Sequence, residues 1–558
     1  MKVMYKGIAG YGFLLLIILF VSCKKQNNEP QPPPIVPESF KYVSVDVNGK
    51  TANVLNDIGV NAVIRLKFSA PVNKNSAAAN ISLKESSNTA AVNISYENGD
   101  SVIALIPQTP LKYLAKYLVA VSSQFQSAKN TSLGSSVNVN FLTSIDSSDK
   151  FPIIPDDELL DLVQKQTLKY FHDFAHPVSG LARERNTSGD LVTSGGSGMG
   201  IMAIIAGVNR NFITRTEGLT QLITIVNFLT NNVTTYHGAF PHWLNGATGA
   251  TIPFSVNDDG ADLVETSYLM EGLLCARQYF NGVDATETDL RNKINTLWNN
   301  VEWDWFRQNN QNVLYWHWSD DKGWIMNFPV RGWNEALITY VLAASSPAHT
   351  IDQAVYTSGW AQSGAIRNGN TYYGYALPLG PANGGPLFFE HYSFLGIDPN
   401  GLADQYADYK IQTTNHTLIN YSYCVTNPGG YFGYSDACWG LTASDDPSGY
   451  AAHEPNNDLG VITPSAALSS FPYTPAQSMK ALKFFYYKLG DKLWKEYGFV
   501  DAFSLNNPWF AGSFLAIDQG PIIVMIENYR SGLLWNLFTS CPEVKAGLLK
   551  LGFTAPYL

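Results

Sequence analysis

Charge is sparse in this chain. Of 558 residues only 15% are Asp, Glu, Lys or Arg, and Lys and Arg nowhere gather into a long basic run. Nucleic-acid binding depends on clustered cations that displace counterions, so this composition and a net charge of −10 argue against that partner. A neutral ligand such as a sugar is compatible with it. Cysteine is scarcer still, five residues in all, with no C-x-x-C pair and no zinc spacing. Neither H-E-x-x-H nor G-x-S-x-G occurs and the histidines do not cluster, which argues against zinc and serine hydrolysis. The Gly-rich "VTSGGSGMG" matches no phosphate-binding loop and reads as a close approach of backbones at a rim. No cofactor and no metal is expected. No repeat of roughly 30–45 residues is apparent, so a regular solenoid is disfavoured.

The N-terminus reads as a targeting segment. A short basic stretch, Met1 to Lys6, precedes an apolar run from Ile8 to Val21 that Gly10 and Gly12 interrupt. The run is short for a membrane span. It ends in "FVSCKK", which resembles a bacterial lipobox, although Phe20 stands where Leu is usual. Residues 1–22 are therefore expected to be a lipoprotein signal peptide and Cys23 the lipidated residue of a cell-envelope protein. An ordinary signal peptide cut nearby is the alternative. Residues 23–38, "CKKQNNEPQPPPIVPE", are polar and then Pro-rich, and predict a semi-rigid tether.

From residue 39 to 146 apolar residues recur with period two. "AVIRLKFSAPVN" sets Ile64, Leu66 and Phe68 on one face and Arg65 and Lys67 on the other. Such short alternating strands predict a β-sandwich, and the segment looks like a bacterial immunoglobulin-like domain. After the boundary "SSDKFPIIPDDE" the period becomes helical, and residues 151–558 form the second domain. Some of its segments are amphipathic, and others are apolar nearly all round and rich in Gly, Ala and Met. That mixture suits an inner ring of buried helices inside a solvated outer ring. The predicted fold class is an all-α (α/α)6 barrel behind a small all-β immunoglobulin-like sandwich. Cys275 reads as core. Cys424 and Cys438 could pair, and the sequence leaves that open.

Chemistry concentrates at helix mouths. In "VNDDGADLVETSYLMEG", Asp258, Asp262 and Glu265 are spaced i, i+4, i+7 and share one face if the helix reaches back past Gly260. Capping alone explains one acid. Three on one face repel one another, which suggests a use. In "FPVRGWNEALITYVLAASSP", Glu335 is expected about one turn inside another apolar helix, preceded by Arg331, Trp333 and Asn334. A carboxyl buried there rises in pKa and suits general-acid work, whereas a plain first-turn acid is the other reading. Loops between helices hold His242 and Trp243 ("FPHWLNG") and Trp316 and Trp318 ("VLYWHWSDDKGW"). Indole faces suit the C–H faces of sugar rings, or they pack on a rim. Arg183 in "ARERNTSGD", and Glu390 and His391 in "FFEHYSF", complete the candidate binding set.

The strings "NDDGADLVETSYLMEGLL", "YWHWSDDKGWIMNFPVRGWNEALITYVLAASSPAH", "GPLFFEHYSFLGIDPNGLAD", "YGYSDACWGLTASDDPSGY" and "SLNNPWFAGSFLAIDQGPIIVMIENYRSG" resemble glycoside hydrolase family 144. The resemblance runs through most of the region from Ile154 to Leu558. It implies an (α/α)6 barrel acting on β-1,2-glucans by inversion, either internally or by releasing sophorose from the non-reducing end of β-1,2-glucooligosaccharides. It places important acids at Asp258, Asp262, Glu265 and Glu335, and the cleft at the N-terminal ends of inner helices. Inversion needs two carboxyls roughly 6.5–9.5 Å apart. Glu335 is expected as the acid and one of the Asp258/Asp262/Glu265 group as base, with Asp262 favoured. A loop of the sandwich reaching the cleft would close one end and favour exo action. Endo cleavage is the competing mode, and a non-catalytic surface glycan-binding lipoprotein is the reading from another class. A lyase on a similar barrel suits a basic cleft, which the charge disfavours.

Overall fold

A computed structural model of the protein describes residues 39–51 and 55–558. The expected signal peptide, Cys23 and the tether lie outside the described residues.

The period-two segment folds as its alternation predicts. Tyr42–Val47, Ile64–Phe68, Val102–Pro107 and Val92–Glu97 pair in that order into an antiparallel sheet. Leu55–Ile58, Val137–Thr143, Lys116–Val121, Ile81–Glu85 and Asn88–Ala90 form a second sheet, in which only the first pair is parallel. Ile64, Leu66 and Phe68 are buried between the sheets while Arg65 and Lys67 stay outside. Phe68 packs with Phe40 and Phe125 at ring distances of 5.4 and 5.1 Å.

From Asp156 onward the chain is helical, and buried helices alternate with half-exposed ones. The buried set is Ser194–Asn209, Leu263–Tyr279, Leu337–Ser345, the short turns Leu387–Phe394, Pro464–Leu468 and Ala516–Ser531. Asp156–Phe171, Arg215–Asn231, Ala285–Asn300 and Tyr409–Thr426 bury one face only. Helices Ala516–Ser531, Ser194–Asn209, Leu263–Tyr279 and Leu337–Ser345 pack in succession. The last of these meets the turn Tyr392–Phe394, while Pro464–Leu468 packs on Ala516–Ser531. His391 Nε2 and Ser470 Oγ, 3.0 Å apart, bring the two remaining members together.

The Gly-rich stretch is the device behind the tightest contact. A Cβ on Gly198 would lie 2.0 Å from the Tyr268 carbonyl oxygen, and one on Gly272 would lie 2.2 Å from that of Gly198. The two helices can touch only without side chains there; the close backbone approach was expected at a rim and lies instead between buried helices. A short strand, Leu191–Thr193, leads into it. Cys275, Cys424, Cys438 and Cys541 are all buried free thiols. The domains meet where Leu114 joins the helical core and the Lys150 N–H donates to the Tyr487 carbonyl at 2.7 Å. Lys116 also donates to Asn507, on the hairpin Phe503–Phe510. Among the described residues no helix is long and apolar enough to cross a membrane.

Candidate active site

The first turns of the buried helices converge on one cavity of about 460 Å³. Thr193, Glu265, Glu335, Phe388 and Leu515, each at or just beyond a helix start, line it. Helix N-termini present unpaired N–H groups, so acids gather at such mouths.

The expected three-acid helical face is corrected by the structure. The helix starts at Leu263, and Asp262 is its N-cap. Ala261 and Asp262 pair with Trp318 and His317 instead, and a Cβ on Gly260 would collide with the Trp318 carbonyl at 2.3 Å. This strand pairing takes Asp258 off the helix. Asp258 turns back on Ser255 and still meets the group. His317 Nε2 lies 3.4 Å from Asp258 Oδ2 and 3.6 Å from Asp262 Oδ2.

Environment separates these acids. Asp262 Oδ1 accepts the N–H groups of Val264 and Glu265 at 3.0 and 2.9 Å, and Oδ2 meets His242 Nδ1 at 3.1 Å. Burial acts against its charge, but the His242 hydrogen bond and the nearby imidazoles outweigh it and hold the carboxyl below the ordinary range. For His242 burial opposes protonation, while Glu265 and Asp262 favour it and bring the ring to about 9. Asp258 is pushed up to about 7 by burial and then by the Asp262 charge. Glu265 is raised by burial, although its Oε2 accepts from Gly195 N–H at 2.9 Å and the Thr193 hydroxyl at 3.2 Å. Glu335 is pushed up to about 7 by burial, with the charges of Asp262 and Glu265 adding to it. Its own backbone N–H donates to the carboxyl and opposes the rise, and its main-chain carbonyl accepts from the hydroxyls of Tyr268 at 3.3 Å and Ser393.

His242, Asp258 and Asp262 place three ligand atoms within 4.8 Å of one another, a spacing that could hold a cation. Against burial, Glu265 and Asp262 raise His242 to about 9, and its Nδ1 pairs with Asp262 Oδ2 at 3.1 Å.

A second group of acids escaped sequence reasoning. Arg185 Nε binds Glu184 at 2.9 Å and Nη1 binds Asp445 at 3.2 Å. The Asp445 N–H donates to Asp501 Oδ2 at 2.7 Å. Burial raises Asp501 to about 7 and raises its neighbour Asp518 further, with Asp501 adding to that second shift. These residues come from segments hundreds of positions apart, so no local spacing signals them. Tyr268, one turn beyond Glu265, was findable by the i, i+3 rule.

Residues 327–542 match the family model described as "Putative glucoamylase", and residues 44–143 match the bacterial Ig-like domain model. An endo-beta-1,2-glucanase from Chitinophaga pinensis, solved with sophorotriose and glucose, is 52% identical with a TM-score of 0.71. The match covers 73% of this chain and 100% of that one. The chain belongs to glycoside hydrolase family 144. A family 144 relationship is visible beyond the helical domain as well. A beta-1,2-glucanase structure from Parabacteroides distasonis is 38% identical with a TM-score of 0.71, covering 92% of this chain and 73% of that one. An exo beta-1,2-glucooligosaccharide sophorohydrolase (non-reducing end) of the same species is 48% identical over 419 residues, 71% of this chain. The chain spans 58% of the length of that curated relative.

Within this family 144 chain the candidate binding residues divide. His242, Trp243 and Trp316 line the cavity, as do Glu265 and Glu335. The remaining candidates do not. Trp333 is buried and its Nε1 donates to Glu390 at 2.9 Å. Glu390 is buried under Trp333, Gln412 and His416. His391 is driven down to about 3 by burial, with His416 adding to it. Arg183 lies over Phe174 at 4.4 Å, Trp318 packs edge-on against Trp305, and Arg331 is exposed outside the cavity. Burial in a hydrogen-bonded network removes Trp333, Glu390 and His391 from the cavity. Among the described residues none of 39–146 lines the cavity, so the condition for closure by a sandwich loop is not met by them.

Proposed function

We propose that this protein hydrolyses β-1,2-glucosidic bonds in β-1,2-glucooligosaccharides, releasing sophorose from the non-reducing end with inversion, on an (α/α)6 barrel. The observation that carries the reading is Glu335. It lies at the mouth of a buried helix, in an aromatic-walled cavity, with a pKa of about 7. A carboxyl still protonated near neutrality can give its proton to the leaving glycosidic oxygen as the C1–O bond breaks. His242, Trp243 and Trp316 hold sugar rings beside it. Alternating buried and half-exposed helices support the barrel, and the Parabacteroides sophorohydrolase supports the exo mode.

Sequence reasoning favoured Asp262 as base. Both of its oxygens are occupied and it is buried outside the cavity lining, so its part is to hold His242 and to raise Glu335 through its charge. Two other carboxyls reach the cavity, Glu265 and the Arg185-bound Glu184. Glu→Gln at each separates them: loss of the base lowers turnover by about 10²–10⁴-fold.

Endo cleavage is the second reading, favoured by the Chitinophaga relative and by the absence of sandwich residues from the cavity. Product analysis on linear β-1,2-glucan, with anomeric configuration followed by NMR, decides. Sophorose from the outset, as the α-anomer, supports the proposal. A ladder of mixed lengths shows endo action, and no products at all would leave a glycan-binding protein. Residues 1–22 and Cys23 are further proposed as signal peptide and lipid anchor of a bacterial envelope protein. Cys23→Ser should move the protein to the soluble fraction, and unchanged membrane association contradicts the anchor.

A further inference from the structure

Beside the active-site cavity lies another of about 460 Å³. Arg185 and Tyr450 line both. Two hairpins frame it, Ala443–Asp446 paired with Gly449–Ala452, and Phe503–Ser504 paired with Trp509–Phe510. Trp509 lines the cavity and is half-buried. Among the described residues it is the one tryptophan whose ring meets no other aromatic ring and whose Nε1 has no hydrogen-bond partner. An indole with no aromatic partner and its N–H unused, half-exposed at the edge of a cavity, is placed to be covered by something else.

The polar groups of this cavity are also underused. Arg185 spends Nε on Glu184 and Nη1 on Asp445, and its Nη2 has no partner among the described residues. One Asp446 oxygen accepts the Ser448 N–H at 2.5 Å and the other is unengaged among the described residues. Gly512 lines the cavity, yet its backbone is not left-handed and a Cβ there would meet nothing within 4 Å. Neither strain nor crowding requires a glycine at that position. What a side chain would occupy is the cavity itself.

An apolar platform with a free donor and a free acceptor at its rim matches a sugar ring, which offers a C–H face and edge hydroxyls. We infer that this cavity is a binding subsite for a further glucosyl unit of the oligosaccharide, beyond the cleft where the bond is cut, with Trp509 as its platform. The inference rests on the β-1,2-glucan reading above. The Lys116–Asn507 contact steadies the Trp509 hairpin from the sandwich side.

The test is kcat/KM across β-1,2-glucooligosaccharides from trisaccharide to hexasaccharide, for wild type, Trp509→Ala and Gly512→Leu. Wild type should gain with chain length as the subsite fills. Both variants should cut the hexasaccharide-to-trisaccharide ratio by about tenfold, through KM rather than kcat, the scale of one aromatic stacking contact. Gly512→Leu displaces no existing contact, so its melting temperature should match wild type. An unchanged ratio in a Gly512→Leu protein with a wild-type melting temperature overturns the subsite and leaves the glucan reading standing. A wild-type protein that turns over none of these oligosaccharides overturns both.

Discussion

Helices Leu263–Tyr279 and Leu337–Ser345 pack side by side, and each has an acid at its mouth. Asp262 caps its helix with two backbone N–H groups on one oxygen and a protonated imidazole on the other, and it is held ionised. Glu335 stands two residues ahead of its helix, its carboxyl has only its own backbone N–H as donor, and burial keeps it protonated to about pH 7. Acids one and two residues ahead of neighbouring helices thus carry opposite charge states. The imidazoles decide it: against burial, His242 and His317 favour the Asp262 anion, whereas Glu335 has only its own N–H against burial and two neighbouring acids.

The comparison can be broken most severely at Glu335. Glu335→Gln keeps the shape and removes the proton, so turnover of β-1,2-glucooligosaccharides should fall by about 10²–10⁴-fold with folding intact by circular dichroism. A substrate whose leaving group needs no protonation should lose far less.

At the other mouth the effect should appear in stability. Asp262→Ala removes the cap and leaves His242 and two buried N–H groups unpaired, which should cost about 3–5 kcal/mol in urea unfolding. Asp262→Asn keeps the cap and loses only the charge. In that variant His242 should titrate well below its native value of about 9, as followed by NMR. An unmoved His242 would mean that Asp262 does not hold it.

A smaller effect tests the strain side of the same contrast. Glu335 has a folded pKa of about 7, above the ordinary carboxyl value of 4.5. A raised acid is fully compatible with folding below pH 4.5 and weakens the fold as pH rises toward 7, where the folded state must give up its extra proton. Glu335→Gln should therefore raise the melting temperature at pH 8 by a few degrees and change it little at pH 4.5. Equal shifts at both pH values would sink the buried-acid account.

The smallest effect separates lining from packing. Trp243→Ala should raise KM by about tenfold, the scale of one aromatic contact. Trp318→Phe, whose site is outside the cavity, should change KM by less than about twofold. Oligosaccharide titrations check both.

Much of the fold was legible because its signals are periodic. Ile64, Leu66 and Phe68 announced a sandwich face, and the all-apolar "MGIMAIIAGVN" announced a buried helix. The acids at helix mouths were legible for the same reason, since Glu265 and Glu335 open apolar runs. What escaped was set by tertiary pairing. Asp258 left the helix because residues 261–262 pair with 317–318, more than fifty positions away. Trp333, Glu390 and His391 have the residue types of a sugar site but were drawn into a buried hydrogen-bond network with His416 and Ser470. The Glu184–Arg185–Asp445 bridge joins segments that no window spans.

The most direct test of the central claim is the pH dependence of kcat/KM on a β-1,2-glucooligosaccharide, for wild type and Glu335→Gln side by side. The account predicts that wild-type activity falls as pH rises through about 7, as Glu335 loses its proton. The Glu335→Gln profile should be low throughout and lack that limb. A Glu335→Gln enzyme that keeps near-full activity, or shows the same alkaline limb as wild type, would contradict the assignment of Glu335 as the general acid.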